Sequence, residues 1–153
     1  MNMVNKIKEI REKDNCALIS LDIKAAFDNL DRSVLSNILE FHSIKTFYRN
    51  FIFYFLLARI GVFKDDLLVI KKICHKGLLP QGSVISPNLW NLYMNQLLNS
   101  NSSNYFIQAF ADKLEPFSDG RVRKELENND NNALNMISDK LKELKLDLSI
   151  DKC

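Results

Sequence analysis

The chain has 153 residues, 46% of them hydrophobic and 26% charged, a composition too apolar for a disordered tail and sized for one buried core, which excludes a large multidomain enzyme. Twenty-one Lys and Arg stand against nineteen Asp and Glu, a net charge of +2, so no global field advertises nucleic acid or a membrane surface and any such partner has to be met locally. Cys16, Cys74 and Cys153 form no C-x-x-C pair, and His42 and His75 lack ligand spacing, which points to reduced intracellular thiols rather than a disulfide framework or a zinc knuckle.

The opening Lys6, Lys8, Glu9, Arg11, Glu12 and Lys13 predict a charged amphipathic helix and no secretory signal. Cys16 to Leu21 is a short apolar run that ends in Asp22, the pattern of a buried strand with a carboxylate at its exit. Val34, Leu35, Ile38 and Leu39 recur at helical spacing behind Asp31 and Ser33, either of which can cap the helix. A second helix is expected from Phe47 to about Arg59, too short for a membrane span. Val62-Phe63 and Leu67 to Ile73 then flank the polar turn Lys64-Asp65-Asp66 as a β-hairpin.

Gly77 to Ser83 reads as a loop, and Ser86-Pro87 offers a capping hydroxyl with proline at the first helical position. The helix it opens is expected to reach Leu98. Tyr105 to Ala111 is strand-like and again delivers an aspartate, Asp112. Ser118-Asp119-Gly120 reads as a turn, Val122 to Leu144 as a helix interrupted by the Asn-rich stretch from Asn128 to Asn132, and Leu146, Leu148 and Ile150 as a final strand. Mixed helices and short strands in this order predict an α+β fold, a mostly antiparallel sheet backed by helices.

Two strands ending in aspartate suit a divalent cation, because Mg²⁺ takes hard oxygen ligands and is commonly held by one or two carboxylates. Taken alone, strand-terminal aspartates are more often the residues of ordinary turns.

Leu21-Asp22-Ile23-Lys24-Ala25-Ala26-Phe27-Asp28 resembles the first catalytic motif of reverse transcriptases, in the form typical of the non-LTR retrotransposon branch. Gly77 to Leu89, with its Pro80-Gln81-Gly82-Ser83 loop and Ser86-Pro87 helix start, resembles the second motif. Phe110-Ala111-Asp112 resembles the first three residues of the aromatic-Ala-Asp-Asp box, and Leu146 to Lys152 resembles the motif that follows it. The resemblance covers nearly the whole chain in the family's order. It implies a polymerase palm over residues 1–153, with the family's fingers expected before Met1 and its thumb after Cys153.

The resemblance also implies chemistry: RNA-directed DNA synthesis by two-metal nucleotidyl transfer, with an RNA template, a DNA primer, deoxynucleotides, and Mg²⁺ or Mn²⁺ as cofactor. Asp22, Asp112 and the backbone carbonyl of Ile23 would be the metal ligands. Phe27 would lie beneath the incoming sugar, and Gln81 and Gly82 would approach template and nucleotide. Lys152 is either a proton donor to the pyrophosphate or a solvated lysine, and Arg59 a structural anchor. Two features depart from the pattern. The second aspartate of the third motif is replaced by Lys113, which puts a cation beside the metal site, and Pro116 falls where the returning strand should donate ladder hydrogen bonds and is expected to damage the sheet. The reading is therefore an impaired polymerase palm, with a non-catalytic RNA-binding or scaffold remnant of the same fold as the alternative.

Overall fold

The computed structural model describes residues 15–57, 60–65, 68–73, 79–80, 82–102 and 104–152. The expected opening helix lies outside them, as do Arg59, Cys74, His75, Gln81 and Cys153. In chain order the elements are β1 (Asn15–Leu18), β2 (Leu21–Asp22), α1 (Arg32–Phe41), α2 (Thr46–Leu57), β3 (Ile60–Asp65), β4 (Leu68–Ile73), α3 (Ser86–Leu98), β5 (Tyr105–Phe110), β6 (Lys113–Gly120), α4 (Arg123–Glu143) and a closing 3-10 turn, Ile150–Lys152. Helices and antiparallel sheet together make the α+β architecture of a polymerase palm. The chain divides into two compact units, Met1–Lys24 with Met94–Cys153, and Ala25–Tyr93.

The first unit is organised around β6, which has strands on both sides. Along one edge β1 and β2 follow each other in a single antiparallel register, from Asn15 opposite Gly120 to Asp22 opposite Lys113. Along the other edge β5 pairs from Tyr105 opposite Ser118 to Phe110 opposite Lys113. Helix α4 packs across β6 and β1, burying Ala133, Ile137 and Leu141 with Ile107 and Leu114. Each large apolar side chain so buried contributes roughly 1.5–3 kcal/mol, which makes this layer the unit's main source of stability.

Pro116 does less harm than the sequence suggested. Ile19 N–H donates to the Pro116 carbonyl at 3.0 Å. A pair of this kind normally exchanges two bonds, and proline has no N–H with which to complete it. The interruption appears in the partner, where Ile19 and Ser20 separate β1 from β2, while β6 runs unbroken from Lys113 to Gly120.

Three further expectations are corrected in this unit. Ser118-Asp119-Gly120 is the end of β6, not a turn, because β1 pairs with all three residues. Gly120 serves close approach: a Cβ there would lie 2.5 Å from the backbone nitrogen of Leu126 in α4. The Asn-rich stretch does not break α4, since buried Asn129 donates its side-chain amide to the Asp119 carbonyl at 2.8 Å and so ties the helix to β6. The expected final strand shrinks to one bridge, Leu148 with Ile23, before the 3-10 turn.

The second unit contains α1, α2, the β3–β4 hairpin and the start of α3. Asp31 is the α1 cap, its carboxylate accepting from the N–H groups of Ser33 at 2.9 Å and Val34 at 3.1 Å. Leu35, Ile38 and Leu39 of α1 and Ile52 and Leu56 of α2 are buried. The hairpin forms, from Ile60 opposite Ile73 to Asp65 opposite Leu68, so Lys64 and Asp65, expected in the turn, belong to β3. The expected cap of α3 is corrected: the Ser86 hydroxyl is buried and makes no hydrogen bond among the described residues, and it is the Ser83 hydroxyl that accepts from Ile85 N–H at 3.3 Å. Among the described residues no helix is long and apolar enough to cross a membrane.

Candidate active site

Three of the four sequence motifs meet at β2. Along one edge Ile23 N–H donates to the Asp112 carbonyl at 2.8 Å. Along the other, Ser149 N–H donates to the Asp22 carbonyl at 2.7 Å and Lys24 N–H to the Asp147 carbonyl at 2.8 Å. The short strand carrying Asp22 is thus clamped between the β5–β6 turn and the segment after α4. Its backbone groups are claimed on both sides, so Asp22 is held by main chain whatever its carboxylate does. The sequence indicated that these segments belong together but not that Asp147 and Ser149 act through their backbones.

The register fixes which side chains face each other. Ile19–Pro116 and Ile23–Asp112 are pairs of the hydrogen-bonded kind, so Asp22–Lys113, which lies between them in the ladder, is of the other kind. Residues in such pairs project from the same face with Cα atoms about 4.5 Å apart, closer than in hydrogen-bonded pairs. Asp22 is 9% exposed, whereas Lys113 is exposed. The sequence's one charge reversal therefore sits directly across from the most buried carboxylate among the described residues.

Asp112 lies in the two-residue connection between Phe110 and Lys113, half-buried. The strand leading into it, β5, does not adjoin β2; β6 runs between them. Asp112 meets Ile23 because it extends the β6 register by one residue beyond Lys113. Ala111 adopts a φ of 52°, the conformation that a two-residue hairpin of the II′ kind requires at its first position and that glycine normally supplies. Holding alanine there costs about 1–2 kcal/mol, strain that the surrounding ladder sustains. Since Ile23 N–H points at Asp112, the Ile23 carbonyl points to the same edge, as in any antiparallel strand.

The register thus brings Asp22, Ile23 and Asp112 to one end of the sheet, where two carboxylates and a carbonyl are the candidate oxygen donors. They are hard ligands of the kind Mg²⁺ and Mn²⁺ accept. The set does not fit two divalent ions. Among the described residues no cluster of three or more His, Cys, Asp or Glu side chains is placed to hold a metal, and the ammonium of Lys113 shares the face of Asp22. At about 5 Å and an effective dielectric near 20, each unit of cation charge is opposed by roughly 3 kcal/mol, before solvent screening reduces it.

The remaining candidates belong to the second unit. Phe27 is half-buried and stacks on Trp90, ring centroids 5.3 Å apart, and Trp90 stacks on Tyr93 at 6.3 Å. Tyr93 anchors the column: its hydroxyl accepts from Asp31 N–H at 3.4 Å, and burial pushes the phenol up to about 12. No motif signalled Trp90, whose part became visible only through its contact with Phe27. Leu79 N–H donates to the Phe27 carbonyl at 3.2 Å, joining the second motif's loop to the end of the first motif. Gly82 has a φ of 82° in a turn closed by Ser83 N–H on the Pro80 carbonyl at 3.2 Å. Gln81 and the Lys152 side chain lie outside the described residues, so the structure places neither.

The family model for reverse transcriptase (RNA-dependent DNA polymerase) matches residues 2–153. No curated protein matches the chain. Enzymes of the matched family generally depend on divalent metal and bind a nucleic-acid template and primer.

Proposed function

Because the chain belongs to the reverse transcriptase (RNA-dependent DNA polymerase) family, we propose that it is a palm of the non-LTR retrotransposon type in which nucleotidyl transfer is impaired. The observation that carries this reading is the pairing of Asp22 with Lys113. Residues 1–153 form one functional palm in this reading. Asp22, Asp112 and the Ile23 carbonyl descend from a metal-binding set that would hold Mg²⁺ or Mn²⁺, and Lys113 now contributes a fixed cation to it.

The chain's other residues keep roles that do not need a metal. The Phe27 ring, backed by Trp90, would lie against a nucleotide's sugar and discriminate against a 2′-hydroxyl. Gly82, with open space where a Cβ would stand, would let backbone approach a base or ribose, with Gln81 beside it. Lys152 would protonate a departing pyrophosphate if the chemistry ran. A second reading is favoured by Lys113 itself: a palm that binds RNA without extending a primer.

The test is primer extension on an RNA template with deoxynucleotides and Mg²⁺ or Mn²⁺. The unmodified chain is expected to give no product above that of its Asp22→Ala variant. Robust incorporation that Asp22→Ala abolishes would overturn the reading of Lys113 as disabling.

A further inference from the structure

Residues 41–64 concentrate two features. They contain eight Phe or Tyr residues, together with Lys45, Arg49, Arg59 and Lys64, and no Asp or Glu. Helix α2, inside this stretch, buries Ile52 and Leu56 on one side. On the other side Phe47, Phe51 and Tyr54 follow one another at spacings of four and three residues, which places them within one narrow stripe. They are 75%, 58% and 72% exposed. At 1.5 Å per residue the stripe runs for about 10 Å along the helix. Tyr48 stands edge-on to Phe47, ring centroids 5.4 Å apart, and is itself 56% exposed.

Large aromatic side chains are seldom left in water in such a row, and a contiguous exposed patch of this kind marks a binding surface. Its composition selects the occupant. An aliphatic groove would suit an apolar helix; here the exposed groups are flat rings, each offering a π face. The charge around them is of one sign along the sequence. Lys45 at the head of α2 and Lys64 in β3 are exposed, and Glu40 near the end of α1 is engaged by Arg49 at 3.4 Å. Rings that stack bases beside cations that meet phosphates are the recurrent design of single-strand nucleic-acid surfaces.

We propose that the exposed face of α2 binds single-stranded RNA, with Phe47, Phe51 and Tyr54 stacking two or three successive bases and Lys45, at the head of the same helix, meeting the phosphates. The inference rests on the reading that this family member engages nucleic acid, and it adds a surface that is separate from the Asp22 site in residues and in chemistry. Binding through stacking is tolerant of sequence and weakens as salt rises.

The probe is a fluorescently labelled twelve-nucleotide oligouridylate, titrated with the full chain at low and at moderate salt by anisotropy. Three variants accompany it: Phe47→Ala/Phe51→Ala/Tyr54→Ala, Phe47→Leu/Phe51→Leu/Tyr54→Leu, and Phe47→Tyr/Phe51→Tyr. Binding is expected to fall at least tenfold in the alanine and leucine triples and to persist in the tyrosine double, because stacking requires rings, not merely apolar volume. Val122→Ser, at an exposed apolar residue ahead of α4, is expected to leave it unchanged, which shows that the loss is particular to this face. Equal binding by the leucine triple and the unmodified chain would overturn the proposal while leaving nucleic-acid binding elsewhere intact. No binding by the unmodified chain would overturn it outright. So would a concentration-dependent dimer that the alanine triple abolishes and the leucine triple retains, since that would assign the face to a second copy.

Discussion

Lys113 and Pro116 lie three residues apart on β6, and the molecule absorbs them in opposite ways. Pro116 removes a backbone donor, and the backbone answers: the ladder opens opposite it at Ile19 and Ser20, the register resumes at Leu21, and β6 continues to Gly120. Lys113 removes nothing from the backbone. It takes its place opposite Asp22 and opposite Phe110 as any residue would, and the change falls wholly on the charge above the sheet. A fold registers missing hydrogen-bond donors, whereas a site registers the sign of a side chain. In the reading proposed above, the family's architecture persists around a centre whose charge has been altered.

The comparison breaks if β6 tolerates proline anywhere. Leu114 pairs with Leu21 at a position of the hydrogen-bonded kind, and its side chain is fully buried. Leu114→Pro is expected to cost about 3 kcal/mol or more, read as loss of the cooperative transition in chemical denaturation. A mild effect would mean that Pro116 is tolerated because the whole strand is loose.

At the other end of the strand Gly120→Ala tests how rigidly α4 is seated. The added methyl would meet main chain, not a flexible side chain, so helix or strand has to move, and a loss of about 1–3 kcal/mol is expected in the same assay. The smallest effect belongs to Pro116→Val. A restored N–H completes the pair with Ile19 and contributes about 1 kcal/mol, but the unfolded chain regains the freedom proline denied it, an opposing effect of roughly 0.4–1 kcal/mol. Net stability should change by less than about 1 kcal/mol, while hydrogen exchange acquires a protected amide at position 116.

Much of this arrangement was legible in the residues. Apolar runs ending in Asp22 and Asp112 marked strand exits, Asp31 marked a helix cap, and the order of four motifs carried the family. The misreadings share a cause: local signals were overruled by neighbours the sequence does not place. Ser118-Asp119-Gly120 has the composition of a turn, yet β1 pairs along it and α4 crowds against Gly120. Asn128 to Asn132 has the composition of a helix break, yet Asn129 finds the Asp119 carbonyl. Pro116 looked destructive because its missing donor could not be matched in advance to a break in the opposing strand. At the site, the identity of Lys113 was evident from the sequence, but its position directly across from Asp22 depends on a register that only the folded sheet defines.

The central claim, that Lys113 disables the site through charge and not through the fold, is tested most directly by Mn²⁺ titration followed by water-proton relaxation. The unmodified chain, Lys113→Asp and Lys113→Asp/Asp112→Ala would be compared at equal concentration after their folded spectra have been matched. Replacing ammonium by carboxylate changes the local charge by two units and adds a hard oxygen ligand. Exposure of the site to water limits the gain, so Lys113→Asp is expected to bind Mn²⁺ about tenfold more tightly, or about 1.4 kcal/mol, and Asp112→Ala to reverse most of it. Equal Mn²⁺ affinity in the unmodified chain and Lys113→Asp would contradict the account, because the cation opposite Asp22 would then have no hold on the carboxylates beside it.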